Sequence, residues 1–323
     1  MIPKPGKNPE NAASYRPISI LSNISKIFER IFQSRLKELI SKKNILPNIQ
    51  FGFRDKHSTV EQAHRLVSHI TQWLENKEYS PTVFLDVSQA FDRVWHDGLV
   101  YKLSNLLPAA RCELIKDYLS DRSFMVKVGN DYSDYRPISA GVPQGSVSGS
   151  TLYLLYTYDI PQDSDVTVAL FADDTAISAS HKSYATAVEQ VQHSINRISS
   201  WSKIWKISIN EGKSVRVDYT LRSHTYIPTF WNNQAIPMAS AARYVGIHLD
   251  SKLSWEEHVK QKCNFLNSKF RKYYWLIERH SKLSLENKRL LYLTIFKAVW
   301  TYGLPIWGTT KDCHREVIQR FSK

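Results

Sequence analysis

Apolar residues recur along the chain with two periods, and the switches between them mark out the elements. Ser22 or Asn23 caps a helix whose apolar face runs Ile24, Ile27, Phe28, Ile31, Leu36, Leu39 and Ile40. Ser58-Thr59 opens a second helix that reaches about Asn76. Thr82-Val83-Phe84-Leu85-Asp86-Val87 reads as a buried strand with one acid near its end, and Ser88 caps a helix with Phe91, Val94, Trp95 and Leu99 at helical spacing. Residues 124–128 and 132–138 flank Gly129-Asn130-Asp131 as a hairpin. Residues 184–205 form an amphipathic helix with the stripe Ala187, Val188, Val191, Ile195, Ile198, Trp201 and Trp205. Strand signals follow at 207–209, 214–219, 235–236 and 244–249. From Trp255 the chain turns helical, and Lys260, Lys262, Lys269, Arg271 and Lys272 alternate with Phe265, Phe270, Tyr273, Tyr274 and Trp275. The spacing of those rings assigns them to a core, and the cations to a phosphate backbone.

One stretch resists an ordinary reading. Leu170-Phe171-Ala172-Asp173-Asp174-Thr175-Ala176-Ile177 sets two adjacent acids between apolar runs, at or beside the tip of a tight hairpin. Most Asp pairs are solvated turns, but this one lacks the Gly or Pro of an exposed loop. Adjacent carboxylates disfavour each other's ionisation unless a cation or a donor lies between them. Asp86 is a third candidate, because an acid in an apolar strand is costly unless paired or metal-bound. If the two strands are neighbours, the three acids suit Mg2+, with Mn2+ as an alternative, in a site that leaves positions for substrate phosphates. Two such ions about 4 Å apart clamp the attacking and leaving oxygens of an in-line displacement.

Composition narrows the substrate. The net charge is +13, from 43 Lys and Arg against 30 acids, which points to a polyanionic partner and to nucleic acid before membrane. With that charge the acids imply nucleotidyl transfer. At 323 residues and 42% apolar the chain can bury a core in two lobes, which we divide at 1–250 and 251–323. Its three cysteines are far apart, so neither a disulfide framework nor a closed zinc site is expected, and a reducing compartment fits. The longest apolar stretch, 290–300, is broken by Thr294 and Lys297 and is too short to span a membrane. No apolar signal core opens the chain, so the expectation is a soluble intracellular protein. Near the start, Arg16 is held between Tyr15 and Pro17-Ile18 in a way that suits a phosphate. Gln144, in the loop Ala140-Gly141-Val142-Pro143-Gln144-Gly145-Ser146, offers an amide to a flat ligand.

Taken in order, Tyr15-Arg16-Pro17-Ile18, Gln50-Phe51-Gly52-Phe53-Arg54, Phe84-Leu85-Asp86-Val87-Ser88-Gln89-Ala90-Phe91-Asp92, the 140–146 loop and Phe171-Ala172-Asp173-Asp174 resemble the reverse transcriptase of non-LTR retrotransposons. Asn210, Lys213 and Tyr244-Val245-Gly246-Ile247-His248-Leu249-Asp250 continue the series, and Tyr302-Gly303-Leu304-Pro305-Ile306-Trp307-Gly308 looks most like jockey-type elements. The resemblance implies an α+β right-hand polymerase: fingers and an antiparallel palm sheet over 1–250, then a helical thumb and the start of the following region over 251–323. It implies that Asp86, Asp173 and Asp174 bind the metal ions and that Arg16, with Lys4 and Lys7 as weaker candidates, meets the triphosphate. Phe91 would crowd the sugar 2′ position, Gln144 would lie near nucleotide and template, and Lys213 would protonate the leaving pyrophosphate. The implied partners are an RNA template, a DNA primer and deoxynucleoside triphosphates.

Two departures stand out. Ser148 and Ser150 occupy positions where relatives have Leu and Pro, which suggests a looser palm. The chain also begins inside the fingers, so it is expected to be part of a longer polyprotein with an endonuclease, acting in the nucleus at a nicked chromosomal site. Two other readings compete. One is a truncated remnant that binds nucleic acid without turnover; the other is an RNA-synthesising polymerase on the same palm plan, which Phe91 opposes.

Overall fold

The computed structural model describes residues 2–3, 8, 10–11, 14–128 and 130–319, with positions 2, 3, 16 and 128 described by backbone alone. A short ladder joins β1 (Ile2–Pro3) to β2 (Tyr15–Arg16). α1 (Asn23–Lys42) starts where expected, with the Ser22 hydroxyl accepting from the Ser25 amide. Its apolar face is only partly covered. Leu36 and Ile40 are buried, but Ile24, Ile27, Phe28 and Ile31 face solvent, because periodicity specifies a face and not what packs on it. α2 (Thr59–Glu75) closes a capping box between Ser58 and Glu61.

The core of the fold is a sheet. β3 (Ser80–Leu85) is buried along its length; α3 (His96–Leu106) and α4 (Ala109–Leu119) follow it. Two nested pairs come next: β4 (Ser123–Phe124) with β7 (Arg136–Pro137), and β5 (Lys127–Val128) with β6 (Asp131–Tyr132), the hairpin foreseen around Asn130. α5 (Gly149–Tyr156) leads to the hairpin of β8 (Val166–Phe171) and β9 (Asp174–Ala179). α6 (Tyr184–Ile204) then returns the chain to β10 (Val215–Tyr219). These strands pair antiparallel in the order β10-β3-β9-β8. Alternation along them splits the core in two. Phe84, Ala169, Ala176 and Val217 meet the Ala63, Leu66 and Ile70 face of α2. Val83, Leu85, Val168 and Ile177 meet Val191, Ile195 and Ile198 of α6. The α+β class therefore holds, with an antiparallel sheet covered by helices on both faces.

Beyond β10 stand the hairpins β11 (Phe230–Trp231) with β12 (Gln234–Ala235) and β13 (Ala241–Tyr244) with β14 (Ile247–Asp250). The rest is helical: α7 (Glu256–Ile277), α8 (Leu285–Leu291), a π-helical stretch Tyr292–Lys297, α9 (Ala298–Thr301), α10 (Leu304–Trp307) and α11 (Asp312–Gln319). Val259, Ile306, Trp307 and Ile318 share one buried cluster with Tyr244, Ile247 and the face of α2.

Three expectations fail. The helix after Ser88 begins only at His96, and residues 88–93 are turns. Their backbone groups are committed elsewhere: Val142 donates to Phe91, Gly141 donates to Val94, and Val87 bridges to Ile209. Of 207–209, only that bridge at Ile209 is paired. Finally, Phe265, Phe270, Tyr274 and Trp275 are exposed. α7 buries His258, Val259, Lys262 and Leu266 instead, and most of the rings fall off that face.

Ser148 stands just before α5. It is 3% exposed, and its hydroxyl has no hydrogen-bond partner among the described residues. It borders a cavity of about 170 Å³ that Phe28, Phe32, Ile115 and Leu152 also line. Ser148→Leu removes a stranded hydroxyl and fills space, so it is expected to raise stability by about 1–2 kcal/mol in urea melts. A fall in the urea midpoint would contradict the cavity.

Candidate active site

The β8–β9 hairpin turns in two residues, Ala172 and Asp173, since Phe171 pairs with Asp174. Ala172 has φ +57°, a left-handed conformation that costs a residue with a Cβ about 1–2 kcal/mol. Gln50 holds it there. The Gln50 Oε1 accepts from the amides of Ala172 at 2.9 Å and Gly52 at 2.8 Å, and Nε2 donates to the Ala172 carbonyl at 3.4 Å. Next to it the main chain of Phe51 donates to Leu170 at 2.9 Å. Gly52 lies so close that a Cβ on it would stand 2.2 Å from the Ala172 nitrogen. Gln50-Phe51-Gly52, read in the sequence only as part of the family resemblance, is thus a clamp on the acid hairpin.

β3 supplies the third acid. Leu85 pairs with Thr175, so one step further Asp86 stands level with Asp174 at the ends of adjacent strands. The strand ends one residue before the acid. The Asp86 amide donates to Ser214 Oγ at 3.1 Å, and its carbonyl accepts from the Asn210 amide at 2.8 Å. These bonds fix its backbone against the 210–214 turn. Its carboxylate lies 3.8 Å from Lys213 Nζ, an exposed pair that adds little stability by itself.

Asp86 and Asp173 open on a cleft of about 850 Å³ that Phe91, Asp92, Gln144 and Lys213 also line. Asp174 stands beside it, and its carboxyl is pushed up to about 6. Desolvation is the main cause, then the charge of Asp173, with Asp86 adding, while Arg243 and the Val245 backbone pull the other way. As placed, no three His, Cys, Asp or Glu side chains among the described residues are gathered closely enough to hold an ion. The chemistry of the donors nevertheless fits a hard divalent cation: all are carboxylate oxygens, they oppose one another's charge, and the cleft beside them leaves room for water and phosphate ligands.

The other site residues divide. The ring of Phe91, half-buried, stacks on Tyr153 at 4.7 Å and meets the edge of Phe53 at 6.0 Å, so it is anchored from behind while lining the cleft. Gln144 Nε2 donates to Asp92 Oδ1 at 2.7 Å. Lys4, Lys7 and the side chain of Arg16 lie outside the described residues. Sequence reasoning missed Glu29, which is 2% exposed in the middle of α1. Its carboxylate accepts from the amides of Val147 at 2.6 Å and Ser148 at 3.2 Å and from the Tyr118 hydroxyl at 2.8 Å, pinning the end of the 140–148 loop. The only sequence signal was an acid flanked by Phe28 and Ile31 on a helix. It also missed the support that Asp92 gives Gln144.

The clamped acid hairpin and the strand acid beside it stand together at one end of the sheet, next to the cleft that Phe91 and Gln144 line. The family described as reverse transcriptase (RNA-dependent DNA polymerase) matches residues 2–267, and the chain belongs to it. It is 42% identical over 325 residues to a Drosophila melanogaster protein from transposon X-element. It is 38% identical over 327 residues to the RNA-directed DNA polymerase from mobile element jockey of the same fly. Each alignment covers 99% of this chain and 36% of the relative, so the chain spans about a third of the length of these curated relatives. The jockey-type resemblance read from the motifs is borne out. A solved structure of telomerase from Candida tropicalis, in complex with a TWJ fragment of telomeric RNA, is 15% identical with a TM-score of 0.49, over 93% of this chain and 49% of that one. No helix among the described residues is long and apolar enough to cross a membrane.

Proposed function

We propose that the chain is an RNA-directed DNA polymerase that adds deoxynucleotides to a primer 3′-hydroxyl on an RNA template, in retrotransposition. The observation that carries this is the meeting of Asp86 and Asp173 with Phe91 and Gln144 on one cleft. Asp86, Asp173 and Asp174 would hold two Mg2+ ions, with Mn2+ as a substitute; when bound, such ions polarise phosphate oxygens and acidify the attacking hydroxyl.

The chain's own residues do the rest. Phe91, a rigid ring braced by Tyr153, leaves room for a hydrogen at the sugar 2′ position and none for a hydroxyl. Lys213, beside Asp86, donates the proton that the leaving pyrophosphate needs. Arg16, with Lys4, receives the triphosphate. Residues 251–323 act as the thumb: their cations track phosphates, and the exposed Phe265, Tyr274 and Trp275 offer faces to bases. On this reading residues 1–250 are fingers and palm, and the chain works within a longer polyprotein with an endonuclease, at a nicked chromosomal site in the nucleus.

Nucleotide choice tests the reading. The wild-type chain is expected to extend a DNA primer on an RNA template with deoxynucleotides and to reject ribonucleotides. Phe91→Ala is expected to raise ribonucleotide incorporation by about tenfold or more. Unchanged discrimination would remove Phe91 from this role. Salt-sensitive binding of the primed template without any extension would identify a non-catalytic remnant.

A further inference from the structure

We propose that Tyr302 is a positioning residue for Asp174: its hydroxyl holds the turn of the β13–β14 hairpin in a left-handed conformation that presents the Val245 main chain to the Asp174 carboxylate. This rests on the reading of Asp174 as one of the acids that hold a divalent cation. The hairpin turns in two residues, Val245 and Gly246, since Tyr244 pairs with Ile247. Both have positive φ, +39° at Val245 and +83° at Gly246. Glycine takes that region freely, but a β-branched residue stays there only when its surroundings hold it. Two contacts do so. The Val245 side chain is buried in the cluster it shares with Tyr244, Ile247 and Trp307, and the Tyr302 hydroxyl donates to the Val245 carbonyl at 2.6 Å. The Tyr302 ring lies along the same turn, where a Cβ on Gly246 would stand 3.3 Å from its Cε1.

Tyr302 is itself fixed. It follows α9 directly, and its carbonyl accepts from Lys262 Nζ at 3.1 Å and from Trp307 Nε1 at 2.9 Å. Lys262, buried on α7, also donates to the Val299 carbonyl at 2.8 Å. At the other side of the hairpin the Tyr244 hydroxyl donates to the Ala169 carbonyl of β8 at 3.0 Å, which seats the turn beside the acid hairpin. There the Val245 backbone acts on the Asp174 carboxyl as a hydrogen-bond donor, and Arg243 adds an attractive charge. A run of contacts therefore leads from Lys262 through Tyr302 and Val245 to an acid far back in the sequence. A donor on a carboxylate fixes its orientation and leaves its other lone pairs to a cation. The two turns that meet at Asp174 are built alike: Ala172 and Val245 are left-handed, and Gln50 and Tyr302, each distant in sequence, keep them so. Without the Tyr302 hydroxyl Val245 relaxes, and its amide leaves Asp174.

The test is Mn2+ binding, followed by loss of the free-ion EPR signal without nucleotide or template, beside melting curves. Tyr302→Phe removes one oxygen and keeps the ring; it is expected to weaken Mn2+ binding by about tenfold. Tyr302→Phe/Val245→Gly should recover most of that affinity, because glycine adopts φ +39° with no hydroxyl to hold it. Gly246→Ala, strained at φ +83° and crowding the Tyr302 ring, should weaken Mn2+ as Tyr302→Phe does. If Tyr302→Phe lowers the melting temperature but binds Mn2+ like wild type, the hydroxyl only secures the fold and the assignment is overturned. A double variant that binds no better than Tyr302→Phe overturns the role of the turn. Unchanged affinity in Gly246→Ala overturns it as well, whether or not Tyr302→Phe folds. Equal Mn2+ binding by wild type and Asp173→Asn/Asp174→Asn overturns the cation reading of the acids itself, an outcome distinct from these.

Discussion

Asp173→Asn is expected to lower RNA-templated primer extension by about 10²–10³-fold or more, with primed-template binding and fold intact. The substitution keeps the shape of the side chain and removes its charge. Asp173 is the tip of a two-residue turn held by Gln50 through backbone atoms of Ala172. Asp173 also raises the carboxyl of Asp174, second only to desolvation. Removing it relieves that repulsion, and the variant should melt no lower than wild type. Loss of activity together with retained or higher stability is the signature of a functional charge cluster; a structural ion pair gives the opposite pairing. Melting temperature and fluorescence anisotropy on primed template, measured beside extension, distinguish the two. Full activity in Asp173→Asn would remove this acid from the chemistry.

Gly52→Ala is expected to cost about 100-fold in extension and about 1–3 kcal/mol in stability, although the residue touches no substrate. The added Cβ would stand 2.2 Å from the Ala172 nitrogen and 2.9 Å from its Cα, and both are backbone atoms with no side chain to rotate away. Either the 50–52 segment or the hairpin must move. If the segment moves, Gln50 loses its hold on the left-handed Ala172; if the hairpin moves, Asp173 and Asp174 shift relative to Asp86. A displacement of about 1 Å at reacting groups is enough for a loss of this size. Urea denaturation with parallel extension assays measures both effects. Wild-type behaviour of Gly52→Ala in both would contradict the clamp.

The parts that were legible in the sequence share a physical reason. The strand 80–85, the hairpin acids and the stripe of α6 are local patterns, and burial enforces period 2 or 3.6 wherever one face meets the core. That Asp86 stands level with Asp174 was not legible, because it depends on β3 pairing with a strand far along the chain. Phe91 was placed on a helix because Phe91, Val94 and Trp95 have helical spacing. Pairing of the same backbone with the 141–142 loop overrode that preference. The exposed rings of α7 and the uncovered start of α1 show the same limit: spacing reports a face, and only packing reports its partner. Gln50 and Glu29 act through backbone amides of distant segments, and no local pattern encodes such contacts.

The central claim is that Asp86 and Asp173 act together in nucleotidyl transfer. Its most direct test is extension of a DNA primer on an RNA template with deoxynucleotides and Mg2+, by the wild-type chain beside Asp86→Asn/Asp173→Asn, at matched template occupancy. The expected result is extension by the wild type and none by the double variant. Equal extension by both would contradict the assignment of these acids.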